Sequence, residues 1–338
     1  MRTTAFVFLL TLLCACQLKP PAEALLDDYL TRLSRVLDVD RPAVAASLPP
    51  RMPPTRALQI TIEPLSIDLL DFWGFRKCGL AEVLGERNSV LGRVMVPSQH
   101  LHMDGRILEG LQQCRSTLED ETLLALTEEL IDAKQAQWPL LYWNATAAAP
   151  ELRAFWSPSS EPLVPGQEAS YQAAETALGF LADLPHRLSE NRWPERENLE
   201  AHYQALEQFE LGGRLLQSLE LGHHYIAAGN RMLEQAARRQ TLCPAGLQKK
   251  ELEYARNVMV KVFVGEVQPW LAAVNRRSQS LQAQYDTLMD QQAPDLREKL
   301  QPFETEIVAL QAQFEKTLRQ HVEHWQQLFD TCGSKARP

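Results

Sequence analysis

Residues 260–288 read VKVFVGEVQPWLAAVNRRSQSLQAQYDTL, and residues 300–325 read LQPFETEIVALQAQFEKTLRQHVEHW. In the first stretch Val260, Phe263, Val267, Trp270, Val274, Leu281, Tyr285 and Leu288 recur at spacings of three and four, with Ser278 in the one gap. In the second, Leu300, Phe303, Ile307, Leu310, Phe314, Leu318, Val322 and Trp325 do the same. Side chains so spaced share one face of an α-helix, so each stretch is an amphipathic helix whose apolar stripe needs a partner. Ala293-Pro294-Asp295 lies between them and supplies a turn. The two are expected to pack along their length as an antiparallel hairpin, each arm about 40 residues and about 60 Å long.

Moving upstream, residues 195–239 carry Leu206, Phe209, Leu216, Leu219, Ile226 and Leu233 in register and are expected to form one helix. Gly212-Gly213, Gly222 and Gly229 weaken it but allow a neighbouring backbone to approach closely. Residues 241–246 (TLCPAG) read as a turn, and residues 167–188 as a further helix. Residues 157–166 (SPSSEPLVPG) are a loop, expected to separate an N-terminal helical region (23–156) from a C-terminal long-helix bundle (167–332), unless the two form one continuous domain.

In the N-terminal region, 23–37 and 68–75 have helical spacing, and the proline-bearing 38–54 reads as a loop. Residues 56–67 (RALQITIEPLSI) have local β character interrupted by Pro64, which predicts extended chain and not a sheet. Residues 78–114 read as helix broken at Pro97-Ser98, and two antiparallel arms would bring Cys78 and Cys114 to one end. Residues 118–138 form another amphipathic stretch, followed by an aromatic group of Trp138, Tyr142, Trp143, Phe155 and Trp156. The expected fold class is all-α: a multi-helix protein with a long C-terminal antiparallel hairpin or bundle and little or no β structure.

The chain opens MRTTAFVFLLTLLCACQ. A positive start, a short apolar run and a small residue before a cysteine have the layout of a secretory signal, and the run is too short to span a bilayer. The stretch Leu13-Cys14-Ala15-Cys16 resembles the bacterial lipobox. Residues 1–15 are therefore expected to be a cleaved signal peptide, Cys16 to carry lipid, and 16–22 to be a tether. Asp after the lipidated cysteine retains lipoproteins at the inner membrane in enterobacterial-type sorting, so Gln17 points by resemblance to the outer membrane, facing the periplasm.

Composition bounds the rest. The 338 residues are 45% hydrophobic with mean hydropathy −0.27, so the chain is globular. Its formal charge is −9, and without Arg2 the mature chain has 33 basic against 43 acidic residues, or −10. Such a chain is a poor partner for nucleic acid, and lipid rather than charge would hold it at the membrane. With Cys14 and Cys16 assigned to the leader and the anchor, Cys78, Cys114, Cys243 and Cys332 form an even set, so two disulfides are expected in an exported protein. Of the three connectivities, the helical arms favour Cys78–Cys114, and Cys243–Cys332 at the base of the last hairpin.

Cys78, Arg87-Asn88-Ser89, Leu91-Gly92, Cys114 and Trp143-Asn144-Ala145-Thr146, together with the lipobox, resemble the bacterial lipoprotein family catalogued as domain of unknown function 3080. The resemblance implies a Gram-negative envelope lipoprotein and transfers no activity, cofactor or catalytic residue.

Few residues carry chemistry on their own. Arg87 and Asn88 have the donors to hold a carboxylate or phosphate, with Ser89 as a hydroxyl ligand or nucleophile. Against that, Arg87 pairs with an acid and Asn88 or Ser89 caps a helix in the plainer, favoured reading. Ser89 with His100 and His102 lacks a nucleophile-elbow context. His223-His224 and His321-x-x-His324 lack further zinc ligands, so neither a metal nor a cofactor is expected. Trp143, Asn144 and the aromatic group offer a surface for a glycan ring, or simply a core under a loop. The leading expectation is a lipid-anchored, non-enzymatic interaction or structural protein holding an envelope protein partner. A binding module for a glycan, peptide or lipid is the alternative, and an envelope hydrolase a further one.

Overall fold

A proline at the first helical position gives up an N–H that a helix start cannot use, and α1 (Pro21–Leu37) begins that way. It buries Leu26, Tyr29, Leu30, Leu33 and Leu37 on one side. The computed structural model describes residues 19–333 apart from 47, 66–67, 93, 190–193 and 245–249, and no strand occurs among the described residues. Cys16 and the expected leader lie outside them.

The single turn α2 (Thr55–Leu58) leads into extended chain over residues 59–65. The extended stretch expected over 56–67 is therefore helical at 56–58, where Gln59 N–H closes the turn on Thr55 O, and its last two residues lie outside the described ones. Next come α3 (Leu69–Gly74), α4 (Leu80–Asn88), α5 (Pro97–Thr117), α6 (Glu121–Ala145) and α7 (Pro150–Phe155). After the loop follow α8 (Gln172–Ser189), α9 (Arg196–Phe209), α10 (Leu211–Arg239), α11 (Lys250–Asn257), α12 (Gln268–Asp290), α13 (Pro294–Arg297) and α14 (Gln301–Thr331). A π-helical run, Val258–Val267, joins α11 to α12 without a break.

Three boundaries differ from expectation. The helix expected over 195–239 is two, because Glu210 takes a left-handed conformation (φ 43°) between α9 and α10. That conformation costs a residue with a Cβ roughly 1–2 kcal/mol, and apolar spacing carries no sign of it. α6 continues through Pro139 to Ala145. Its last turns are fixed from outside: Tyr142 Oη donates to Leu181 O (2.9 Å), and the Trp143 indole N–H to Leu58 O (2.7 Å). Pro97 opens α5 rather than merely interrupting a helix, and the break is residues 89–96.

The C-terminal packing also differs. The 250–290 arm and α14 run in opposite directions, but α14 packs chiefly along α10 and only lightly on α12. The pairs His223–Thr317, Asn230–His321 and Glu234–His324 rise together along both chains, so α10 and α14 are parallel. Gly222 permits this: a Cβ there would lie 2.5 Å from the Phe314 ring and 3.1 Å from Leu271 of the opposite arm. An apolar stripe states that a helix has a partner, not which one.

Both expected disulfides are present, Cys78–Cys114 (Cα–Cα 5.1 Å) and Cys243–Cys332 (5.5 Å). The second ties the ends of two parallel neighbours, and the loop it closes contains the whole returning arm. In the chain-entropy account a loop of that length contributes about 4–5 kcal/mol.

Two apolar cores organise the chain, and their division does not follow the 157–166 loop. A smaller core gathers Phe75, Leu80, Leu84, Ile107, Leu111, Leu123 and Leu130 from α4, α5 and the first half of α6. The main core takes α1, the second half of α6 and nearly everything after it. Tyr142, Trp143, Phe155 and Trp156 belong to that main core, all at or below 2% exposure, so these four offer no stacking surface, while Trp138 is half-buried against it.

Inside the main core sits a polar network centred on His321. His321, fully buried on α14, meets Tyr29 Oη at 2.6 Å through Nε2 and Asn230 Oδ1 at 2.6 Å through Nδ1. Asn230 Nδ2 donates to Thr317 O, so its Oδ1 must accept, which places the imidazole proton on Nδ1 and leaves Nε2 to accept from Tyr29. Burial, and then His324 nearby, push the His321 pKa down from the ordinary 6.5 to about 3. Between those values the unfolded chain binds a proton that the folded chain refuses, so stability is full near neutrality and falls as pH drops below 6.5. The expected slope from this group is about 1.4 kcal/mol per pH unit. His321→Gln keeps a donor and an acceptor but cannot titrate. Urea unfolding of the two chains between pH 4.5 and 7 should show a shallower pH dependence for the variant, and equal slopes would contradict the assignment.

Candidate functional site

Helices α4, α5 and α6 lie alternately antiparallel. The Glu86–Arg106 ion pair (2.8 Å) sets the α4–α5 register, with the Cys78–Cys114 bond at one end. The Asp104–Lys134 ion pair sets that of α5 and α6. On α5, Pro97, His100, Asp104, Ile107 and Leu111 fall at helical spacing on one face; on α6, Leu130, Lys134, Gln137, Leu141 and Asn144 do. Together with α4 and the extended 60–65 segment they enclose a cavity of about 790 Å³, between the two cores. That lies within the range of small-molecule sites.

The extended segment is held along α6 as a strap by side chains of that helix. Asn144 accepts from Ile60 N–H through Oδ1 (2.8 Å) and donates to Ile60 O through Nδ2 (2.7 Å). Gln137 donates to Glu63 O (2.7 Å). The Trp143-Asn144-Ala145-Thr146 motif is accounted for in this way. Trp143 holds Leu58 at the end of α2, Asn144 holds the strap, Ala145 O accepts from Tyr203 Oη, and Thr146 Oγ1 accepts from Gln292 Nε2 (3.0 Å). Of the expected binding residues, Trp143 is buried, and the Asn144 amide lines the cavity with both ends engaged.

Arg87 and Asn88 line the cavity too. One guanidinium N–H of Arg87 donates to Gly92 O (3.0 Å), and among the described residues Arg87 forms no ion pair with an acid. Ser89 Oγ accepts from Gly92 N–H (3.0 Å), which makes Ser89 the keystone of the turn after α4. Gly92 must be glycine there, because a Cβ would lie 2.2 Å from Arg87 O.

Sequence reasoning missed Asp104 and Lys134 and set His100 aside. The available signal was an acid and a base at core spacing on otherwise apolar faces. The carboxylate of Asp104 is 5% exposed and the Lys134 ammonium chain 14%. His100, on the next turn of α5, is held below the usual imidazole pKa by its burial and then by the nearby Arg87 charge, so it is neutral at physiological pH.

The other histidines do not assemble a metal site. His321 is spent in the core network, His324 faces Glu234, His224 faces Glu220, and His223 meets Thr317. Among the described residues no three His, Cys, Asp or Glu side chains converge as metal ligands, and no helix is long and apolar enough to cross a membrane.

The fold and this cleft define an all-α, disulfide-bonded helical protein with a cavity between two cores. The family model described as "Protein of unknown function (DUF3080)" matches residues 26–336, and the chain belongs to that family. No curated protein and no solved structure matches it.

Removing Lys134 leaves the Asp104 carboxylate buried and unpaired. Lys134→Ala is expected to cost about 3 kcal/mol, and adding Asp104→Asn to recover part of it. Urea denaturation of the single and double variants checks this; a loss of only about 0.5 kcal/mol, the value of an exposed pair, would contradict it.

Proposed function

We propose that this chain is a lipid-anchored protein of the bacterial envelope that binds a small molecule with an apolar body in the cleft between α4, α5, α6 and the strap. The observation that carries the reading is the cavity itself, walled by Leu84, Ile107, Leu111 and Leu130 and bordered by the charged groups of Arg87, Asp104 and Lys134. An apolar enclosure with a few convergent polar groups is the usual form of a ligand site. The hydrolase reading has less support, since Ser89 Oγ accepts from the Gly92 N–H and, among the described residues, no hydrogen bond joins Ser89 to a histidine or an acid. The reading as a protein that holds an envelope partner retains one observation: Val90, Leu91 and Val94 are 80%, 76% and 72% exposed.

A bulky side chain inside the cavity tests the binding reading. Ile107→Trp is expected to abolish the fluorescence gain of a neutral naphthylamine dye with the wild-type chain. Leu130→Phe serves as a second filled variant, and circular dichroism confirms helix content in both. Equal dye binding by wild type and well-folded filled variants would reject the site.

The anchor rests on the Leu13-Cys14-Ala15-Cys16 stretch and on the disulfides, which fit an oxidising compartment. Growth with a palmitate analogue should label the wild-type chain and leave Cys16→Ser unlabelled. Equal labelling of the two would sink the assignment, and with it the proposed outer-membrane location.

A further inference from the structure

We infer that the molecule this cleft takes is a single-chain amphiphile with an anionic head, its tail in the apolar pouch toward the Cys78–Cys114 end and its carboxylate or phosphate on Arg87. The inference rests on the binding reading above and names the class of ligand.

The cavity is zoned along its length. The register of the three helices puts Leu84, Ile107, Leu111 and Leu130 on the side of the Cys78–Cys114 bond, where Phe72 also lines the wall. Among the described residues this pouch presents no hydrogen-bonding side chain, so it suits a hydrocarbon tail and leaves the hydroxyls of a sugar or the amides of a peptide unpartnered. One to two helical turns further on, Arg87, His100, Asp104 and Lys134 form a polar collar.

Within the collar the charges do not cancel. Asp104 and Lys134 neutralise each other in a direct ion pair. His100 is neutral for the reasons given. Arg87 remains, with one N–H on the Gly92 carbonyl and no carboxylate paired with it among the described residues. A guanidinium offers five donors in a planar fork that matches a carboxylate or phosphate, so most of its capacity faces a ligand of that kind. Glu63 is the other acid on the lining, but it sits on the exposed strap, and its backbone carbonyl is the group tied to Gln137. On the strap, Leu65 lines the cavity and is 37% exposed, so the border with solvent is apolar at that point.

The test uses the full chain carrying Cys16→Ser, so that no acyl group of its own and no detergent competes. Calorimetric titration compares dodecanoate, dodecyl phosphate, dodecanol and butyrate. Both anionic amphiphiles are expected to bind about tenfold more tightly than dodecanol, as a charge-assisted hydrogen bond implies, and butyrate not measurably. Whichever anion binds more tightly names the head group. Arg87→Gln is expected to bring the anions down to the affinity of dodecanol while leaving dodecanol unchanged, and Arg87→Lys to keep part of the preference. Thermal melts establish that both variants fold. If dodecanol binds as tightly as the anions, or if Arg87→Gln keeps the preference, the inference is overturned while the binding reading stands. If none of the amphiphiles binds, both fall.

Discussion

The parallel packing of α14 along α10 is the constraint from which the rest of the architecture follows. Two parallel neighbours cannot be joined by a tight turn. The chain must travel the full length of the pair before α14 can begin, and the 250–290 arm is that journey. The close approach at Gly222, the His321–Asn230 contact and the Cys243–Cys332 bond lie in order along one seam. α1 then closes over it, contributing Tyr29 to the same buried network. A satisfied polar network of this kind fixes register, because any slip leaves buried donors and acceptors unpaired.

The second organising feature is α6, which belongs to both cores. Its N-terminal half packs with α4 and α5, and its C-terminal half lies in the main core with Trp143 and Tyr142. The cavity occupies the junction, where one set of side chains ends before the other begins. A helix passing between two cores has a few positions that neither fills, and in this chain those positions carry Lys134 and Gln137. The strap over them is attached through two side-chain amides, which pair Ile60 N–H, Ile60 O and Glu63 O without a sheet partner.

Much of the fold was legible because spacing of three and four along the chain is a direct consequence of helical geometry. The all-α class and both disulfides follow from it and from proline placement, as does the extended chain expected over 56–67 as far as residues 59–65. The identity of helix partners was not legible. Phe314 and Trp325 mark an apolar face equally well whether it meets α12 or α10. The left-handed Glu210 and the continuation of α6 through Pro139 were also hidden, since both are imposed by tertiary contacts. Of the candidate site residues, Arg87 and Asn88 stood out beside their glycines, whereas Asp104 and Lys134 gain meaning only when α5 and α6 are laid together. Trp143 was misplaced for the opposite reason: its indole N–H finds Leu58 O, a group 85 positions away.

The position of α1 decides how the protein would meet a pull from its N-terminal side. Tyr29 is joined to His321 across 292 positions of sequence, and Trp325 donates to the same hydroxyl (3.1 Å). A tension entering at Pro21 therefore does not unravel a frayed end. It is delivered through Tyr29 to the buried contacts of α10 and α14. The first helix is in mechanical terms a clasp laid along the body, with one face buried and the other in solvent.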